Sequence, residues 1–132
     1  GGAEETGEGK GLGFNLNLPV AVGSGDDAWM AAMERALARI AAYRPGALVI
    51  ALGLDAHESD PLRGGNVTQA GFARLAELAA ALSLPTVIVQ EGGYLTEYVS
   101  DNRAMFLSAF EGARSIAVEE TPGTVPEAAA LD

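Results

Sequence analysis

Two short apolar runs, residues 47–52 (Ala47-Leu48-Val49-Ile50-Ala51-Leu52) and 86–90 (Thr86-Val87-Ile88-Val89-Gln90), constrain this chain more than anything else in it. Each is too short for a helix and apolar without alternation, the pattern of strands covered on both faces in a parallel sheet. Between them, Thr68 precedes Phe72, Leu75, Leu78 and Leu82 at helical spacing, which predicts a capped amphipathic helix over 68–82. Strand, helix, strand closes as a right-handed crossover. Both strands then end at one edge, so the loops after Leu52 and after Gln90 meet beyond the strand carboxyl ends, where α/β folds build their sites.

The flanking sequence extends the pattern. Residues 1–13 are polar and Gly-rich and read as a loop entering a short strand at 14–18, which Pro19 closes. Ser24 or Asp26 is placed to cap a helix over 26–43, with Trp29, Met33, Leu37 and Ile40 on one stripe and Pro45-Gly46 ending it. After Gly92-Gly93 turns the chain, a third helix is expected over 96–113 with Tyr98, Val99, Met105, Phe106 and Phe110 buried. Ile116-Ala117-Val118 reads as a short strand or a packed extension, and 119–132, with two Pro and an Ala run, as a disordered tail. The fold class is therefore α/β, a parallel sheet of about three strands with flanking helices. At 132 residues one domain suffices.

Asp55 stands three residues past the first strand, where a carboxylate has no packing reason to sit beside Leu52 and Leu54. On spacing alone it serves equally as a turn cap bonded to its own backbone or as one ligand of a metal set whose partners lie elsewhere. Tyr94 follows two glycines, which let the backbone turn sharply and approach a ligand closely. A Tyr packed in the core is the commoner fate of that residue. Gly92 and Gly93 either line a site with exposed backbone or only make the turn. His57 imitates an Asp-x-His ligand pair with Asp55, but a loop His is usually solvated, and no metal or base role is assigned to it. Asp60-Pro61 is expected to shape the loop, the Asp accepting backbone N–H groups. The spaced glycines of 7–13 precede a strand instead of opening a helix, which rules out a nucleotide loop.

Gly-Leu-Asp-Ala followed by Asp60-Pro61-Leu62, and then Val87-Ile88-Val89-Gln90-Glu91-Gly92-Gly93-Tyr94, resembles the C-terminal part of the zinc-dependent deacetylase superfamily, which holds histone deacetylases and acetylpolyamine amidohydrolases. The lead-in to Asn15-Leu16-Asn17-Leu18-Pro19 is similar to the polyamine branch in particular. The resemblance spans roughly residues 5–115 and implies the arginase/deacetylase fold, with 1–118 as the C-terminal part of a deacetylase domain. It implies that Asp55 is a zinc ligand, that Tyr94 hydrogen-bonds the substrate carbonyl and the oxyanion formed from it, and that Gly92 and Gly93 line the acyl channel. In the implied mechanism Zn2+, held by one His and two Asp, polarises the substrate amide and acidifies a water that a His base deprotonates. The family's His pair and Asp-x-His lie upstream of this segment. A chain with one His that opens on Gly is thus expected to be a C-terminal piece, inactive alone, with uncovered apolar faces and a tendency to self-associate.

Eighteen acidic against eight basic residues, a formal charge of -10, leave no basic patch to neutralise phosphates, so direct nucleic-acid binding is not expected. The same charge draws in a cationic amine. Without Cys there is no disulfide framework or thiolate metal site, which suits a cytoplasmic setting, and no run is long enough to be a membrane span. The resulting expectation is a zinc-dependent deacetylase acting on acetylated amines such as acetylpolyamines or acetyl-lysine, a homodimer when whole. The alternative is a non-catalytic α/β module that binds a small acylated amine or a partner chain.

Overall fold

A computed structural model describes residues 1–94 and 96–119. Among the described residues three α-helices and two strands alternate: α1 Asp26–Tyr43, β1 Leu48–Leu52, α2 Gln69–Ala80, β2 Thr86–Gln90 and α3 Thr96–Glu119, after a 3-10 turn at Gly9–Gly11. The strands are parallel and paired in register from Leu48 opposite Thr86 to Leu52 opposite Gln90. The α/β reading holds, with two strands among the described residues where about three were expected.

Alternation along the strands decides where the core lies. Ile50, Leu52 and Ile88 face inward and join Leu54, Val67, Phe72, Ala76, Phe106 and Phe110 in one cluster. Val49, Val87 and Val89 point the other way and are 70%, 59% and 46% exposed. The expectation that both sheet faces are covered is therefore corrected for the described residues: a run apolar on both faces is buried on one.

The N-terminus of α2 explains much of the rest. Thr68 caps it by accepting from the Gly71 N–H at 3.0 Å, the usual service of a Thr to an otherwise unpaired helix donor. Asp26, at the first position of α1, then clamps that cap, accepting from the Thr68 N–H at 2.8 Å and from the Thr68 hydroxyl at 2.7 Å. A Cβ on Gly71 would fall 2.2 Å from the Asp26 Oδ1, so helix α2 reaches this carboxylate only because residue 71 has no side chain. Neither Ser24 nor Asp26 caps α1, as had been expected; Gly25 holds that position without a side-chain bond. α1 ends with Arg44 in the left-handed region at φ 54°, its N–H bonded to the Ile40 carbonyl, directly before Pro45.

Several other expectations change. Residues 14–18 form no strand. Asn15 and Asn17 instead donate through their side chains to the carbonyls of Glu5 and Gly2, which folds the segment onto the preceding loop and leaves Phe14 and Leu16 exposed. In α3, Phe106 and Phe110 are buried as expected, but Tyr98 and Met105 are exposed and Asn102 takes a fully buried place. Residues 116–118 continue α3 in place of a strand. The expected tail 119–132 lies outside the described residues except for Glu119, the last residue of that helix.

Removing the Asp26 clamp by Asp26→Ala is expected to lower unfolding free energy by about 2 kcal/mol, the cost of hydrogen bonds to a charged acceptor. Asp26→Asn, which keeps one acceptor, should lose less in the same urea titration. Expressed alone, residues 1–119 should self-associate in light scattering through the exposed valine face, and Val49→Lys with Val87→Lys should return them toward the monomer.

Candidate functional site

The ladder between the strands does not stop where they end. Glu91 donates its N–H to the Leu52 carbonyl at 2.9 Å, and Leu54 donates to the Gly92 carbonyl at 2.9 Å. These two bonds carry the in-register pairing into the loops and bring Asp55 against Gly92. A Cβ on Gly92 would stand 2.7 Å from the Asp55 Cγ and 2.8 Å from each carboxylate oxygen, and one on Gly53 would stand 2.8 Å from Oδ1. The Asp55 carboxylate thus occupies a cradle from which two side chains are missing. It lies at the end of an open cleft of about 680 Å³ that runs between α1 and β1.

Gly93 has a different reason to be Gly. Its φ is 127°, a conformation that L side chains avoid, and an added Cβ would meet Val99 at 2.9 Å and the Leu54 Cβ at 3.1 Å. The turn it makes leaves Tyr94 59% exposed, so this ring is not a core residue. Tyr94 is not on the wall of the cleft that contains Asp55. What joins the two loops at Tyr94 is main chain: its N–H donates to the Asp60 Oδ2 at 3.1 Å.

Asp60 does what the sequence suggested and more. Its Oδ1 accepts from the Leu62 N–H at 2.9 Å, the local turn expected of Asp-Pro. The carboxylate is 5% exposed, and its second oxygen spans to the other loop, a bond between residues 34 apart that no local pattern announces.

His57 requires a correction. It was expected to be solvated, yet it is 6% exposed. Its ring stacks on Tyr98, with centroids 5.3 Å apart, and on Phe72 at 6.3 Å. The cause is a single parallel bridge between His57 and Val67, which folds the loop back over the start of α2. Its Nδ1 accepts from the Ser59 N–H at 3.2 Å.

The donor chemistry of the site is that of a single available carboxylate. Among the described residues no three or more His, Cys, Asp or Glu side chains group to hold a metal. Asp55 fits a metal as one oxygen ligand in a set completed from elsewhere, because its carboxylate, seated against Gly53 and Gly92, also lines the open cleft.

A family model described as the histone deacetylase domain matches residues 1–110. Acetylpolyamine amidohydrolase 1 of Pseudomonas aeruginosa is 45% identical over 111 residues, covering 84% of this chain and 32% of that protein. The acetylpolyamine amidohydrolase of Burkholderia pseudomallei is 44% identical over the same length, covering 84% of this chain and 33% of that one. A crystal structure of acetylpolyamine aminohydrolase from Burkholderia pseudomallei superposes with a TM-score of 0.82 at 43% identity, over 86% of this chain and 33% of that chain. The chain spans about a third of the length of the curated relatives it matches.

The two glycines should respond differently to substitution. Gly92→Ala is expected to leave thermal stability nearly unchanged while turning the Asp55 carboxylate out of its cradle in a crystal structure of the variant. Gly93→Ala, forced into a strained backbone region, should cost about 1–3 kcal/mol of stability.

Proposed function

This chain belongs to the histone deacetylase domain family, and from that premise we propose that the whole protein carrying it is a zinc-dependent deacetylase that hydrolyses the acetyl amide of an N-acetylated amine. The observation that carries the proposal is the Asp55 carboxylate seated against Gly53 and Gly92 and lining the open cleft, on the same pair of interlocked loops that presents the exposed Tyr94. Residues 1–118 are then the C-terminal part of the deacetylase domain. The remaining metal ligands and the His base belong to the part of the protein not covered by this chain.

Asp55 would hold the zinc through its carboxylate. Bound there, zinc supplies Lewis acidity toward the amide oxygen and a more acidic water. Tyr94 donates its phenolic proton in a hydrogen bond to the substrate carbonyl oxygen, and this bond strengthens as that oxygen gains charge. A donor placed in advance for an oxyanion contributes about 3 kcal/mol to lowering the barrier. Gly92 and Gly93 present main chain without side chains to the acyl group, which lets a narrow substrate pass close to the metal.

An acetylated polyamine is the favoured substrate within the class. Two of the most similar proteins carry that name, at 45% and 44% identity, and the chain's net charge of -10 favours approach of a cation. An acetyl-lysine side chain has the same amide on a similar alkyl stem and remains the second candidate. A cytoplasmic setting and a homodimeric state complete the proposal.

In the whole protein, acetate release from N-acetylputrescine and from an acetyl-lysine peptide tests it. Tyr94→Phe should lower kcat by about two orders of magnitude with a much smaller change in KM, as expected for a bond made mainly in the transition state. Asp55→Asn should abolish turnover and lower the zinc content measured by metal analysis. Full turnover in both variants would overturn the assignment.

A further inference from the structure

Asp60 is buried at 5% exposure, and a buried carboxylate is costly unless each oxygen finds a donor. One oxygen is accounted for by the local turn to the Leu62 N–H. That turn needs neither burial nor a second oxygen, and a loop Asp makes it routinely on a surface. The other oxygen takes the Tyr94 N–H, 34 residues away. Asp60 is itself fixed from behind: its N–H donates to the His57 carbonyl at 2.9 Å and its carbonyl accepts from the Arg63 N–H at 3.1 Å. His57 in turn stacks on the rings of Phe72 and Tyr98. The Tyr94 ring is 59% exposed, so its location follows from its main chain, set by the Gly93 turn on one side and the Asp60 bond at its own N–H.

We propose that Asp60 is a positioning residue for Tyr94, its Oδ2 holding the Tyr94 main chain so that the phenol stands at a constant distance from the carboxylate of Asp55. The inference rests on the deacetylase reading above and adds a residue to it. Asp60 touches neither substrate nor metal in this scheme. Its effect passes through one hydrogen bond, and displacing a catalytic group by about 1 Å costs up to about a hundredfold in rate.

Asp60→Asn keeps the shape of the side chain but replaces one acceptor by an amide that opposes an N–H. Asp60→Ser keeps a hydroxyl able to serve the Leu62 turn and is too short to reach Tyr94. In the whole zinc-loaded protein, both variants are expected to lower kcat for N-acetylputrescine by about tenfold to a hundredfold, with KM within about twofold and zinc content unchanged. Hydrogen exchange at residues 91–94, followed by mass spectrometry, should quicken in both. In a Tyr94→Phe background the further loss from Asp60→Asn should shrink to less than about twofold, because the phenol it positions is gone. Wild-type kcat in both Asp60 variants, or a loss that multiplies undiminished on that of Tyr94→Phe, would overturn the positioning role and leave the deacetylase reading standing. Full activity in Tyr94→Phe alone would overturn the positioning role together with the oxyanion role of Tyr94, and full turnover in Asp55→Asn as well would overturn the deacetylase reading.

Discussion

The constraint on which the rest depends is the register of two parallel strands. Leu48 lies opposite Thr86 and Leu52 opposite Gln90, and the ladder runs on through Glu91 to Leu52 and Leu54 to Gly92. Side chains in a strand alternate strictly, so a slip of one residue would turn Ile50, Leu52 and Ile88 out of the core. The same slip would move Asp55 away from Gly92. Burial and site geometry are thus specified by one set of hydrogen bonds, and the apolar gain from the core faces is what holds the carboxylate in its cradle.

Behind that edge, the molecule uses carboxylates as connectors between segments distant in sequence. Asp26 ties the start of α1 to the cap of α2 through Thr68, and Asp60 ties the loop after β1 to the loop after β2 through Tyr94. In the first case Gly71 clears the space for the carboxylate, and in the second the Gly93 turn, at φ 127°, directly precedes the N–H that Asp60 accepts. Asp55 is the contrasting carboxylate. It is seated in the space that the missing Cβ atoms of Gly53 and Gly92 leave and lines the open cleft, and this difference in surroundings separates a residue available to a ligand from two that are engaged in holding the chain together.

How much of this was legible in the sequence varies with the range of the interaction. Helix α1 over 26–43 and strand β2 over 86–90 were readable to the residue, because stripe spacing and β-branched runs are local signals closed by Pro and Gly. The lone strand at 14–18 was not, since a strand exists only with a partner to pair with, and Asn15 and Asn17 found local carbonyls instead. His57 looked like a solvated loop residue because nothing nearby in sequence forecasts that it stacks on Phe72 and Tyr98. The inward side of α3 was displaced for a similar reason: Asn102, not Met105, is buried, although hydrophobicity alone ranks them the other way.

By itself the sequence determined the β-α-β order, the family, and the residue types able to do chemistry at the ends of two strands, because periodicity, turn formers and motif spacing are properties of neighbours along the chain. Only the tertiary structure decided which sheet face is buried, that Gly53 and Gly92 clear room for Asp55, and that Asp60 reaches Tyr94. Those facts concern atoms brought together across tens of residues, and their energies exist only once the strands have paired.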